Sequence, residues 1–131
     1  MNKFARILLI IALPLVVAGC APAKPVAKNT VSTSNLSVEQ IDGLAKALTA
    51  AGAKEYGSQY CSACELQKKM FGAAWSNINF IECSLDANET QNATCKAAGI
   101  KVYPTWEFKG GSRLEGVQQL TVLAKKIGFS F

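Results

Sequence analysis

Two cysteines three positions apart, in Cys61-Ser62-Ala63-Cys64, are the residues of this sequence best suited to chemistry. Thiols one helical turn apart can pass between dithiol and disulfide, and the same spacing is half of a four-thiolate zinc site. The residue types that are missing narrow the field. The 131-residue chain has no histidine, which excludes Ser/His/Asp and Cys/His hydrolases, haem attachment through C-x-x-C-H and every imidazole-ligated metal. Three more cysteines, Cys20, Cys83 and Cys95, bring the total to 5. That is high for a reducing compartment, and odd, so one thiol should have a fate other than pairing. With 50 % hydrophobic and 18 % charged residues, the chain has the material for one domain with a real core.

The local sequence places the first pair where a strand passes into a helix. Residues 54–57 are a short strand candidate, and residues 61–74 have helical character, with Leu66, Met70 and Ala73 spaced for one buried face. Cys61 would then stand at or beside the N-cap, where free backbone N–H groups and the positive end of the helix dipole favour thiolate over thiol. This makes Cys61 the attacking sulfur. Cys64, one turn on and closer to the core, can attack the mixed disulfide formed at Cys61 and release the partner. Cys83 follows a second strand and Cys95 lies on the next helix, so both can face one gap. A structural disulfide is the preferred reading, and a second redox relay pair is the alternative.

The remaining elements follow from capping and periodicity. Ser37-Val38-Glu39-Gln40 is a capping box, followed by Ile41, Leu44, Ala45 and Leu48 at helical spacing, with Gly52 ending the helix. Residues 78–83 are β-branched and aromatic, hence a strand, and residues 88–98 read as a helix stopped by Gly99. In the strand 105–109, Trp106 and Phe108 share one face and Glu107 and Lys109 the other. Gly110-Gly111 turns the chain into a returning strand at 112–115. A last helix over 117–127 places Leu120, Leu123, Ala124 and Ile127 on one side. The order αβαβαββα predicts an α/β domain with a mixed four-stranded sheet flanked by helices. Strands separated by helices should be parallel, and the glycine turn should make the last pair antiparallel.

Ahead of that domain, residues 1–20 carry Lys3 and Arg6, then an apolar run of about twelve residues interrupted by Pro14, too short to cross a bilayer at roughly 20 residues per span. Leu15-Val16-Val17-Ala18-Gly19-Cys20 resembles the lipobox of bacterial lipoproteins. The resemblance implies a signal peptide over 1–19, cleavage before Cys20 and acylation of that cysteine, with several acyl chains for stable anchoring. Four cysteines then remain, an even set. Removal of Lys3 and Arg6 leaves twelve basic residues of the 14 against 9 acidic ones, so the charge falls from +5 to +3. With no basic stripe, nucleic acid is not an expected partner. Residues 20–36, rich in Ala, Pro, Ser, Thr and Asn, read as a tether of up to about 50 Å, leaving 37–131 as the folded domain.

Tyr103-Pro104-Thr105 directly precedes a strand. Alone, it is an ordinary strand start, because a first-position proline loses no ladder bond. Together with C-x-x-C at a strand-to-helix junction, it resembles the thioredoxin fold family. In particular it resembles the thioredoxin-like domain fused to bacterial and plant vitamin K epoxide reductase homologues. The matching residues are Tyr56-Gly57, Cys61-Ser62-Ala63-Cys64, Phe71-Gly72-Ala73-Ala74, Glu82-Cys83-Ser84, Cys95, Ala98-Gly99-Ile100, Tyr103-Pro104-Thr105-Trp106 and Gly116-Val117.

The resemblance implies a thioredoxin-like domain that exchanges disulfides with exported proteins, with no cofactor of its own. Its implied partner is a separate quinone-linked membrane protein of the vitamin K epoxide reductase or DsbB type, favouring the oxidative direction. It implies a cis bond before Pro104, with the Tyr103, Pro104 and Thr105 segment receiving an extended substrate beside Cys61. It also implies that Glu55 is a buried acid assisting proton transfer from Cys64, whereas its strand position alone also allows a solvent-facing role. Ser62-Ala63 stands where relatives carry Pro-His or Gly-Pro, and Tyr60 where they carry Trp, which predicts a weaker oxidant than a Pro-His enzyme. The lipoprotein resemblance implies a lipid-anchored protein facing the periplasm, and Ala21, standing where an Asp commonly retains lipoproteins at the inner membrane, implies the outer membrane in a two-membrane bacterium. Two other functions compete: a zinc module using Cys61, Cys64, Cys83 and Cys95, and a non-catalytic thioredoxin-like adaptor.

Overall fold

A computed structural model describes residues 35–88 and 90–131. The expected signal peptide, the lipidation at Cys20 and nearly all of the tether lie outside these residues. Helix α1 (Val38–Ala50) starts at the capping box: the Ser37 hydroxyl accepts the Gln40 N–H, and the Gln40 side chain accepts the Ser37 N–H. Leu44, Ala45 and Leu48 form its buried stripe. Leu36, assigned by sequence to the tether, instead packs partly buried against the core together with Ile41. The two occupy the flanking positions of a hydrophobic staple, which sets the angle at which the chain enters the helix.

Strand β1 (Lys54–Gly57) leads into α2 (Ser62–Phe71) and a 3-10 segment, Gly72–Asn77. The helix stops three residues short of the predicted 74, because Gly72, whose N–H still closes the last helical bond to the Lys68 carbonyl, turns to φ +57 and takes the chain out of the helix. Its buried face also differs from expectation. Leu66 is 53 % exposed and Ala73 lies at the surface, while Cys64, Gln67 and Phe71 point inward. A glutamine sits in the centre of that face, and of the three residues expected there only Met70 packs, partly buried, against the core.

Strand β2 (Phe80–Glu82) lies parallel to β1, and β3 (Thr105–Glu107) and β4 (Arg113–Glu115) complete the order β2-β1-β3-β4. Against expectation, β3 is antiparallel to β1 although a helix, α3 (Ala93–Ala97), separates it from β2. The five residues of α3 rise only about 7.5 Å, so the chain does not travel back along the sheet and β3 starts at the end where β1 and β2 finish. One sheet end therefore collects the start of α2, the segment after Cys83 and the residues before β3. The result is a mixed sheet with helices against it, a thioredoxin-like α/β fold.

The two remaining helices are shorter than expected for local reasons. Helix α3 begins after Asn92, whose side chain caps Cys95 N–H. Upstream, the chain turns around Asp86, which accepts Asn88 and Thr90 N–H groups. Helix α4 (Leu120–Ile127) starts three residues late because the Gln67 side chain claims both backbone groups of Gln118. Trp106, Leu44, Leu48, Leu120, Leu123 and Phe71 fill the main core. A second cluster joins Tyr56, Ile100 and Tyr103 around Cys83 and Cys95. Arg113 holds this cluster to the sheet, forking onto Glu107 and donating to the Ala98 carbonyl at the end of α3.

Candidate active site

Cys61 is the N-cap residue of α2, extended at φ −87 and ψ 118, with no side chain closing the helix end. The first N–H groups of the helix are thus left without a side-chain cap at the residue that carries this sulfur. The side chain is half-buried, and Sγ lies 3.8 Å from the Tyr103 carbonyl oxygen. The Tyr103–Pro104 bond is cis. Pro104 and Thr105 are buried, and the Thr105 hydroxyl donates to the Val102 carbonyl at 2.7 Å. Gly116 N–H donates to Pro104 O, so the loop after β4 backs this segment. Tyr103 is fixed at its hydroxyl by Gln91, whose amide also donates to Ile100 O.

Cys64 is 4 % exposed and approaches β1 where Gly57 leaves room. A Cβ at Gly57 would stand 2.8 Å from both Cys64 Sγ and a Phe80 ring carbon, closer than packed atoms tolerate. Both Cys61 and Cys64 are free thiols here. Burial pushes the Cys64 thiol up to about 12; the Ser58 N–H, 3.5 Å from its sulfur, pulls the other way, and Cys61 and Glu55 add to the rise. One sulfur thus meets solvent at a helix terminus while the other is kept protonated in the interior. On the far side of Cys64 a cavity of about 320 Å³ opens, walled by Trp75 and Phe80 with Gln59, Glu65 and Lys68 around it.

Glu55 faces inward from β1 and is 0 % exposed, not a solvent-facing strand residue. Its neighbours in the sheet are Phe80 and Trp106. Neither carboxylate oxygen has a hydrogen-bond partner, and burial pushes its pKa up to about 8. Its charge adds the smallest of the contributions that raise the Cys64 thiol, so the two buried groups influence one another. A carboxyl that changes charge near neutrality beside a buried thiol is chemically suited to exchange a proton with it.

Cys83 and Cys95 form a disulfide and are both fully buried. A four-thiolate zinc site would need these sulfurs free around one ion. Among the described residues, no three or more His, Cys, Asp or Glu side chains are grouped to hold a metal. The four sulfurs are thus arranged as one open and one closed pair. The resemblance contained no role for Gln67, Ser58 or the Glu82 carboxylate. Gln67 is fully buried, accepting Gln118 N–H at 2.6 Å and Trp106 Nε1–H at 3.4 Å, and so ties the active-site helix to the loop behind Pro104. The available sequence signal was its register three residues after Cys64 and four before Phe71.

No family model matches the chain. Over 91 residues, 66 % of its length, it is 41 % identical to the thiol-disulfide oxidoreductase LTO1 of Arabidopsis thaliana. The matched part is 24 % of that protein, so the chain spans about a quarter of the length of this curated relative.

Proposed function

We propose that this chain is a thiol–disulfide oxidoreductase of the bacterial envelope, exchanging disulfides with exported proteins through Cys61 and Cys64. The observation that carries the reading is the asymmetry of the pair: Cys61 half-exposed at a helix N-terminus beside Tyr103 O, Cys64 buried one turn on next to a buried acid. The similarity to a relative named for this activity supports a redox role. A client thiolate, its extended segment received by Tyr103, Pro104 and Thr105, attacks Cys61 of the oxidised pair and displaces the Cys64 thiolate. When the pair is re-oxidised, Cys61 attacks a partner's disulfide and Cys64 resolves that mixed disulfide, Glu55 exchanging the Cys64 proton in both steps. Net flow is oxidative, with electrons leaving to a separate quinone-linked membrane partner of the vitamin K epoxide reductase or DsbB type. Cys20 carries the lipid that holds the domain facing the periplasm, at the outer membrane where there are two.

The direct test is the reduction potential of the pair in the full chain carrying Cys20→Ser, by equilibration in glutathione buffers with mass-resolved thiol counting. A value of about −120 to −180 mV is expected of an oxidase, and about −270 mV would reverse the proposed direction. Failure of Cys61 and Cys64 to form a disulfide at any poise would remove the activity itself.

The closed pair gives a second expectation. Because Cys83–Cys95 spans 12 residues, Cys83→Ala/Cys95→Ala should cost about 3 kcal/mol of stability in the chain-entropy model, read from urea midpoints. Exchange at Cys61 should survive below the melting range. Loss of exchange with stability unchanged would make the pair a redox relay.

A further inference from the structure

The three residues between β1 and Cys61 form a turn in which every backbone N–H from Ser58 to Cys61 has a named partner. Ser58 N–H points at Cys64 Sγ, Tyr60 N–H at the Ser58 hydroxyl, and Cys61 N–H at the Ser58 carbonyl. The remaining donor, Gln59 N–H, goes outside the turn, to Glu82 Oε2 at 3.0 Å. Glu82 is the last residue of β2, and its other oxygen accepts Ser84 N–H at 2.8 Å. Its carbonyl accepts the Asn92 side chain at 2.7 Å, so the residue is itself held from α3. The carboxylate therefore ties the turn before Cys61 to the strand that ends at the disulfide.

We propose that Glu82 is a positioning residue for the resolving half of the exchange: by holding Gln59 N–H it fixes the turn that aims Ser58 N–H at the Cys64 sulfur. The inference rests on the exchange reaction proposed above. In the half of that reaction that re-oxidises the pair, the Cys64 thiolate attacks the Cys61 sulfur of the mixed disulfide formed with the electron-accepting partner. The Cys61–partner S–S bond breaks, the Cys61–Cys64 bond forms, and the partner leaves as a thiolate, two electrons having passed from the dithiol to it. Negative charge on Cys64 sulfur precedes that attack, and an N–H fixed on it stabilises the charge where burial opposes it. Glu82 touches neither sulfur; its effect passes through the turn.

The test uses the full chain carrying Cys20→Ser, reduced at Cys61 and Cys64 with the 83–95 disulfide intact. The probe is 5,5′-dithiobis(2-nitrobenzoate), followed by stopped flow at one pH. The first thionitrobenzoate released reports attack by Cys61 and the second reports resolution by Cys64. Glu82→Gln keeps one acceptor but sets an N–H donor against the other backbone N–H, and Glu82→Ala removes both acceptors. The second phase should slow about tenfold in Glu82→Ala and less in Glu82→Gln, with the first phase nearly unchanged.

Ser58→Ala, which loosens the same turn by removing the acceptor of Tyr60 N–H, should slow the second phase as well, and serves where Glu82→Ala does not fold. Equal slowing of both phases would show a merely structural residue. A faster second phase, alike in Gln and Ala, would show that the charge of Glu82 acts directly on Cys64. Unchanged phases in Glu82→Gln and Ser58→Ala would also overturn the proposal. A parent protein that releases no second thionitrobenzoate would instead overturn the exchange reading on which it rests.

Discussion

Cys64→Ser should convert the protein into a trap. Mixed with glutathione disulfide, the variant is expected to accumulate as a single glutathionyl adduct on Cys61, with turnover of a disulfide substrate lower by about 10³-fold or more. The physical basis is the difference between the two sulfurs. Cys61 is half-exposed at the open end of α2 and can meet a substrate, whereas Cys64 is 4 % exposed and stands one helical turn further in. Removing the buried sulfur leaves the first bond-forming step in place and deletes the second. Cys61→Ser should abolish both, because Cys64 is buried and its thiol is held protonated. Intact-mass measurement with peptide mapping decides the matter: an adduct on Cys64, or undiminished turnover, would contradict the assigned order of attack.

Glu55→Gln should stabilise the protein at neutral pH while slowing the resolving step. The carboxyl is fully buried with neither oxygen bonded, and burial pushes its pKa from 4.5 to about 8. Below pH 4.5 the group is protonated in both folded and unfolded chains and has no effect on the pH dependence. Between 4.5 and about 8 the unfolded chain has released the proton and the folded one retains it, so stability falls as pH rises. At pH 7 the accumulated cost is roughly 3 kcal/mol. Glutamine has nearly the same shape and never ionises. Its urea midpoint should therefore exceed that of the parent at pH 7, and the gap should close toward pH 4.5. A gap independent of pH would mean that Glu55 does not carry a raised pKa.

The kinetic effect of the same substitution has the opposite sense. With Cys64 held up to about 12, its thiolate is scarce at neutral pH, and attack requires a nearby group to take the proton. Glu55 ionised at about 8 can do so; glutamine cannot. The second phase of thionitrobenzoate release should rise through about pH 8 in the parent and be slower by about a hundredfold without that inflection in Glu55→Gln. Loss of stability at neutral pH together with unchanged kinetics would remove both parts of the expectation. A gain in stability coupled to a loss of rate is the signature of an ionisable group kept, for chemical use, where its charge is disfavoured.

Much of the fold is written in short stretches of the chain. The capping box at Ser37, the period of Leu44, Ala45 and Leu48, and the Gly110-Gly111 turn depend on neighbours in sequence, and each produced the expected element. Where long-range partners compete, local reading failed. Residues 117–119 have helical pattern but are claimed by Gln67 through the backbone of Gln118. Leu66 and Ala73 have the right spacing to be buried but lose the core to Cys64, Gln67 and Phe71. The sense of β3 depended on whether α3 was long enough to carry the chain back along the sheet.

The candidate site divides in the same way. Residue type and spacing alone determined that the chain has two thiols one helical turn apart, no imidazole to assist them, and a helix start to favour the first. Only the tertiary structure decided that Cys64 and Glu55 share a dry interior, that Glu82 and Ser58 hold the turn beside them, and that Cys83 and Cys95 are already bonded. The reason is that nucleophile identity is a property of a side chain and its helix position, while desolvation is a property of everything packed against it. Phe80, Trp106 and Gly57 come from three strands whose meeting is set by the sheet, and it is their packing that gives two ordinary acids the unequal tasks of Cys64 and Glu55.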